Sequence, residues 1–289
     1  MSGFDGKMTY KEIVRLGSGR DVWLVLESET NKVFIKKCRK DFKQEVYESI
    51  SRIQSPHIPR ICHCQQKEGT LYIIEEYIAG ETLLEKMEHG YVFSEKETME
   101  IMVQLCEALE CLHIRFTPII HRDIKPSNIM LSNDGILKLI DYNAARCYEK
   151  GATKDTEHMG TQGYAAPEQY GFSQTDVRTD IYAMGVVMNY MLVGRPPGEE
   201  TASGALGKII RKCIQMDPDK RYDSVGSVKL ELERLLGRRE EEAYPSLWLL
   251  PGFCRRKKWK KLVTALGYCL MVLGVWKIIE LGQVWGYWR

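Results

Sequence analysis

The sequence predicts an α+β chain with a small β-rich first part, a large α-helical second part and a hydrophobic helix near its C-terminal end. Three observations predict this. Residues 10–78 alternate between β-prone runs and turn clusters, with one helical stretch among them. From Ser94 the apolar spacing turns helical. After Leu236 the character changes to a charged, proline-bearing stretch, then a basic cluster, then an apolar run. The expected divisions are 8–78, 79–236, a linker and basic segment at 237–261, and a membrane-spanning helix at 262–282.

The chain has 289 residues, enough for two lobes or for one large domain with an appendage, and 44% apolar content supports a real core. Net charge is only +2, so no global field points to nucleic acid. Nine cysteines, odd in number and scattered, read as reduced thiols in a cytosolic setting. Cys62-His63-Cys64 has no second Cys/His pair at ligand spacing, so no metal is expected there. Residues 1–7 contain no apolar run, so no signal peptide is expected.

In chain order, Leu16-Gly17-Ser18-Gly19 leads through a turn to a strand at 22–26. Glu29-Thr30-Asn31-Lys32 makes the next turn, and 33–37 the third strand. Residues 41–53 read as a helix with Glu45, Glu48 and Arg52 at three-to-four spacing, ended by Pro56 and Pro59. Strands follow at 61–64 and 71–77, and Gly80-Glu81-Thr82-Leu83 opens the next helix. Ser94-Glu95-Lys96-Glu97 is a capping box, and Ile101, Leu105, Ala108, Leu109 and Leu112 form one apolar face, which makes 94–115 a core helix. Ile129-Met130-Leu131, the turn cluster Ser132-Asn133-Asp134-Gly135 and the run 136–140 predict a hairpin. A hairpin brings its ends together, so the loop before it and Asp141 after it are expected side by side.

That loop is His121-Arg122-Asp123-Ile124-Lys125-Pro126-Ser127-Asn128. Phosphoryl transfer needs an acceptor for a hydroxyl proton, oxygen ligands for a divalent cation, and a positive charge near the moving group. Asp123 is the candidate acceptor, Asn128 and Asp141 the candidate metal ligands, and Lys125 the candidate cation. The loop resembles the catalytic loop of the protein kinases, H-R-D-x-K-x-x-N, and Asp141-Tyr142-Asn143 resembles their metal-binding D-F-G triplet. The resemblance runs from about residue 10 to 236. It implies a two-lobed protein-kinase-like fold, ATP and Mg²⁺ as cofactors, and protein substrates. Lys125 with Thr161 resembles the Ser/Thr branch of that family.

Other positions follow from the same resemblance. Gly17 and Gly19 match part of the glycine-rich loop that covers the nucleotide phosphates, with the third glycine missing, the loop two residues short, and Asp21 repulsive to phosphates unless it turns away. A lysine on the 33–37 strand binds phosphates. Successive strand residues face opposite ways. Lys36 would bring Phe34 onto the adenine, whereas Lys37 brings Ile35, so Lys37 is favoured and Lys36 is the alternative. Glu45 is the expected partner of that lysine, with Glu48 as the alternative. Glu76 and Tyr77 fall where the nucleotide-binding hinge begins. Glu75 falls behind the adenine, where a buried carboxylate needs a partner. Asn143 replaces a glycine, which is tolerable because asparagine visits positive φ. His121 is expected to hold the loop by packing and hydrogen bonds. Glu168, in Ala165-Ala166-Pro167-Glu168, is expected to pair with Arg221, and Asp180 opens a buried helix that braces the loop. A phosphate on Thr153 or Thr156 is expected to dock on Arg122, which allows self-association for trans-autophosphorylation.

In the tail, Arg255-Arg256-Lys257-Lys258-Trp259-Lys260-Lys261 precedes an uncharged run at 262–276, about 22 Å of helix. Extending it to Leu281 reaches a spanning length of about 30 Å but encloses Lys277 and Glu280, which can snorkel or pair. Trp259 at one end and Trp276, Trp285, Tyr287 and Trp288 at the other resemble interfacial belts. The expectation is a single pass through the cell membrane, in contact with lipid, with the rest of the chain cytoplasmic. The alternative is an in-plane peripheral anchor. Two rival functions remain: a pseudokinase that binds nucleotide or a partner without turnover, and a small-molecule kinase of related fold.

Overall fold

A computed structural model describes residues 2–4, 8–16, 21–149, 160–171 and 174–238. These belong to one unit, Met1–Arg239. Gly17, Gly19, Thr153, Thr156 and the whole hydrophobic tail lie outside the described residues.

The first lobe is an antiparallel sheet of β1 (Ser2–Phe4), β2 (Met8–Arg15), β3 (Val22–Glu27), β4 (Val33–Arg39), β5 (Ile61–Lys67) and β6 (Thr70–Glu76), in the order β1-β2-β3-β4-β6-β5. Period-two alternation gives it two apolar faces. Tyr10, Val25, Phe34 and Ile74 cluster on one side, where the Tyr10 and Phe34 rings meet edge to face at 5.9 Å. Leu71 and Ile73 join the main core on the other side, together with Val46, Tyr47 and Ile50 of α1 (Gln44–Ile50). The α1 helix is shorter than the 41–53 pattern suggested. Its N-cap is Lys43, which makes no side-chain cap, so nothing extends the first turn toward Asp41. Cys62 packs on the outer cluster and Cys64 on the main core.

The second lobe is helical. Its elements include α2 (Leu83–Glu88), α3 (Glu95–His113), α4 (Val177–Val193), α5 (Gly204–Cys213) and α6 (Val225–Leu235). Capping boxes start both early helices: Thr82 with Glu85 for α2, and Ser94 with Glu97 for α3. The α3 face of Ile101, Leu105, Ala108, Leu109 and Leu112 is buried, as its spacing required.

Three short strands carry the site loops. β7 (Gly80–Thr82) pairs with β9 (Ile129–Ser132), and β9 pairs with β10 (Leu137–Leu139). Gly80 is obligatory here, since a Cβ would lie 2.1 Å from the Leu131 carbonyl oxygen. The hairpin turn closes through Gly135 at φ +77°. The loop after α1 is fastened to this hairpin: Leu139 N–H donates to the His57 carbonyl at 2.9 Å, and His57 Nδ1 lies 3.0 Å from the Leu137 carbonyl. β8 (Ile119–Ile120) pairs with β11 (Arg146–Cys147), so the chain enters and leaves the site on adjacent strands.

Candidate active site

The loop between β8 and β9 is held from below by a buried carboxylate. Asp180, in the first turn of α4, accepts the backbone N–H groups of His121 at 2.9 Å and Arg122 at 2.8 Å, and lies 2.8 Å from His113 Nε2. Burial pushes the Asp180 carboxyl up, but His113, His121 and these donors outweigh it and hold it below the usual range. The grip fixes Arg122 at φ +67°, a left-handed conformation costing about 1–3 kcal/mol for a non-glycine residue. Gln169 Nε2 donates to the Arg122 carbonyl at 2.8 Å and completes the anchor.

His121 is fully buried with its ring edge-to-face on Tyr142 at 5.3 Å between centroids. Burial keeps its imidazole below the usual pKa despite Asp180 and Asp123 nearby, so it is neutral. It packs on Tyr142, and its Nδ1 accepts the Asp123 N–H at 3.4 Å. Arg122, only 2% exposed, is likewise part of the loop's interior.

Above this base sits a closed ring of polar contacts. Lys125 Nζ is 2.8 Å from Asp123 Oδ2 and donates to Thr161 Oγ1 at 2.7 Å, while Thr161 Oγ1 donates to Asp123 Oδ1 at 2.7 Å. Asn128 Nδ2 donates to both the backbone carbonyl and Oδ2 of Asp123, each at 2.9 Å. The Asn128 amide nitrogen is therefore committed to Asp123, and its carbonyl oxygen remains the group suited to a cation. Asp141 arrives from the far end of the hairpin, as the hairpin geometry required. It lines, with Asp123, Thr161 and Gly160, a cavity of about 530 Å³ that also meets Asp21, Cys38, Arg39, Lys40 and Asn143. The Asp21 carboxylate is held by Arg15 at 2.8 Å. One carboxylate and one amide carbonyl, both hard oxygen donors, fit a hard divalent ion that takes its remaining ligands from water and phosphates. Among the described residues no three His, Cys, Asp or Glu side chains gather as a closed metal cage.

Burial pushes the Asp123 carboxyl up, but the hydrogen bonds of Lys125 and Thr161 and the Lys125 charge hold it below the ordinary aspartate range. Because the folded value is depressed, this carboxylate stabilises the fold fully above its unfolded value of about 3.9 and loses that contribution as pH falls through the folded value. The carboxyl ¹³C shift of Asp123 should therefore stay flat from about pH 8 down to about pH 5 and titrate below about pH 4. Lys125→Met should raise that midpoint. A wild-type midpoint above about pH 5 would contradict the assignment.

Lys37 takes the favoured orientation, and four other expectations in the first lobe and the 141–143 segment meet a different or fuller arrangement. Lys37 faces inward and Lys36 outward. Lys36 lies 2.8 Å from Glu12 and over the Tyr72 ring, on the Phe34 side of the sheet. Lys37 Nζ lies 2.5 Å from Glu75 Oε1, not beside Glu45. Glu45 is exposed on α1, and Tyr47 is the buried α1 residue turned inward to the site, so Glu45 leaves the candidate site. The reason is rotation: residues two apart on a helix diverge by about 200°, so Tyr47 inward puts Glu45 outward. Second, Glu75, which the sequence left without a partner, is buried and paired with Lys37. Third, the Glu76 side chain is engaged elsewhere, 2.9 Å from Lys138 Nζ and accepting Arg60 N–H at 3.1 Å. Tyr77, 46% exposed, borders a separate cavity with Phe34 and Arg60. Fourth, the left-handed residue of the 141–143 segment is Asp141, at φ +66°, and Asn143 is not at positive φ. Asn143 instead uses its side chain: its Oδ1 accepts from Arg39 Nε and from Tyr47 Oη, both at 2.9 Å.

The anchor across the second lobe is a buried bidentate pair. Arg221 Nη1 and Nη2 donate to the two Glu168 oxygens at 2.7 and 2.9 Å, with Thr179 Oγ1 donating to Glu168 at 2.8 Å.

A two-lobed α+β chain with an Asp–Lys–Thr ring, an adjacent asparagine and an aspartate across a hairpin defines a phosphotransferase class of fold and site. The protein kinase domain model matches residues 10–238, and the chain belongs to that family. It is 35% identical over 167 residues to the probable serine/threonine-protein kinase PknB of Corynebacterium glutamicum, covering 56% of this chain and 25% of that protein. It is 28% identical over 218 residues to a probable serine/threonine-protein kinase of Clostridium perfringens, 67% of this chain and 31% of that protein. It is 29% identical over 190 residues to the serine/threonine-protein kinase PknB of Mycolicibacterium smegmatis, 57% of this chain and 30% of that protein. The match thus spans between 25% and 31% of the length of these relatives.

Proposed function

We propose that the chain is a serine/threonine-protein kinase, moving the γ-phosphoryl group of ATP to Ser or Thr hydroxyls of proteins. The observation that carries this reading is the Asp123–Lys125–Thr161 ring, with Asn128 bonded to Asp123, and Asp123, Thr161 and Asp141 lining one cavity. Asp123, ionised at neutral pH, orients the incoming hydroxyl and accepts its proton. Lys125 sits where negative charge grows on the transferring group and offsets it. The Asn128 carbonyl and the Asp141 carboxylate would hold Mg²⁺, which would supply charge neutralisation to the phosphates. Lys37 positions the phosphates. With the side chains of Glu76 and Tyr77 turned elsewhere, the chain there meets the purine through its backbone.

Loss of phosphoryl transfer to a generic basic protein on Asp123→Ala tests the reading, and equal turnover by wild type and variant defeats it. A pseudokinase is disfavoured because Asp123, Asn128 and Asp141 are all present and the first two are hydrogen-bonded to each other. A small-molecule kinase is disfavoured by Lys125 bonded to Thr161, a Ser/Thr-type pairing within the segment that receives protein substrates.

Trans-autophosphorylation through self-association, on Thr153 or Thr156, belongs to the same proposal. So does attachment to the cell membrane through residues 262–282, with the catalytic lobes on the cytoplasmic side. No helix among the described residues is long and apolar enough to cross a membrane, and the proposed span lies outside them. The support is the apolar run, its basic flank and its tryptophans. Full-length protein should stay with membranes through alkaline carbonate, and release into the supernatant would exclude the span.

A further inference from the structure

Three features of the first lobe have no role yet in the proposed reaction: the Glu75 partner of Lys37, the Tyr47–Asn143–Arg39 contact, and the exposure of Glu45. They share one explanation. We propose that Glu75, on strand β6, is the residue that positions Lys37 for the nucleotide phosphates, and that helix α1 supplies no carboxylate to the site. This rests on the kinase reading and assigns a positioning residue within it.

The sheet register makes the pair possible. Ile35 on β4 lies directly opposite Glu75 on β6, and Lys37 lies opposite Ile73. Lys37 and Glu75 are therefore diagonal neighbours on one face, within reach of long side chains. Both are buried, with side-chain exposures of 11% and 8%, and their charged atoms are 2.5 Å apart. Two ions withdrawn from water at that separation hold each other in place, since either alone would be an uncompensated buried charge. The geometry belongs to two strands of one sheet. It does not depend on where a helix sits.

The inward position of α1 is taken by Tyr47. Its hydroxyl donates to Asn143 Oδ1, and its pKa is raised first by burial and then by the nearby Asp141 carboxylate. Arg39, two residues beyond Lys37 on β4, donates to the same oxygen. The α1 helix thus contacts the segment that carries Asp141 through a neutral hydrogen bond, while the lysine takes its charge partner from the sheet. Glu45 and Glu48 lie on the exposed face of α1, where Glu48 accepts from Gln44 at 2.6 Å. The consequence is regulatory: displacing α1 should loosen the Asp141 segment but leave Lys37 oriented.

The test is Mg·ATP affinity by titration calorimetry of the full chain, with kcat and KM for ATP measured alongside. Glu75→Gln keeps volume and hydrogen-bonding capacity and removes the charge. It should weaken Mg·ATP binding about ten-fold or more, a change expected when one charge contact is lost. Glu45→Gln should weaken it less than two-fold, about the noise of a surface change. Glu75→Asp should recover part of the loss. If Glu75→Gln does not fold, the double change Lys37→Met with Glu75→Met should restore the melting temperature without restoring binding, because a buried apolar pair replaces a buried ionic one. Tighter binding or faster turnover in Glu75→Gln would overturn the proposal and make Glu75 a sequestering group. A larger loss in Glu45→Gln than in Glu75→Gln would also overturn it. Binding is read independently of transfer, so a chain that binds Mg·ATP as described but never phosphorylates would defeat the kinase reading and leave this inference standing.

Discussion

Asp123→Asn should lower kcat by about 10²–10⁴-fold, the usual contribution of a positioned general base. The KM for ATP should change little, because Asp123 meets the accepting hydroxyl and not the nucleotide. The substitution also breaks the ring. Lys125 loses its 2.8 Å ion pair and Thr161 loses the carboxylate it donates to. Lys125 then remains beside Thr161, which lines the cavity, so part of the charge stabilisation persists and the variant is slow, not dead. Melting temperature serves as the control: Asp123 is partly exposed at the cavity wall, so its loss should not unfold the protein. A fall in kcat of less than ten-fold would remove Asp123 from the role of proton acceptor.

Arg221→Ala should be among the most destabilising single changes outside the apolar core. It leaves Glu168, 4% exposed, without its ion-pair partner, with the Thr179 hydroxyl the one remaining side-chain donor to it among the described residues. Breaking a buried ion pair from one side costs about 3–5 kcal/mol. At about 2–4 °C per kcal/mol for a domain of this size, the melting temperature should drop by roughly 6–20 °C. Replacing both partners, as Arg221→Met with Glu168→Leu, should recover most of it, since the desolvation cost goes with the charges. Thermal melting of the three proteins checks this. A loss below about 1 kcal/mol in Arg221→Ala would mean the pair behaves as a surface one.

The placements around the cavity that the sequence anticipated share one property: each depends on local chain geometry. A hairpin at 129–139 had to return Asp141 to the loop that bears Asp123. The Ser94 capping box and the apolar stripe of α3 had to make a buried helix. Strand alternation turned Lys36 and Lys37 apart, and the bulk of Phe34 beside Lys36, against Ile35 beside Lys37, favoured Lys37. The misplaced parts depend on how separate elements are rotated against each other. The rotation of α1 about its own axis set Tyr47 inward and Glu45 outward, and nothing in residues 41–53 alone reveals that angle. One signal was available: a buried carboxylate at Glu75 demands a cation, and the only inward-facing lysine on the neighbouring strand is Lys37. Asn143 was read as a backbone substitution for glycine. Its neighbours Arg39 and Tyr47 are 104 and 96 residues away in sequence, so its side-chain role appears only in three dimensions.

The most direct measurement is mass spectrometry of the purified full-length protein after incubation with ATP and Mg²⁺, set against Asp141→Asn and against chelated metal. The expected result is phosphoserine and phosphothreonine in the wild type alone. Equal phosphorylation in all three samples, or none in the wild type with a basic acceptor protein present, would contradict a phosphoryl-transfer site built on Asp123, Asn128 and Asp141.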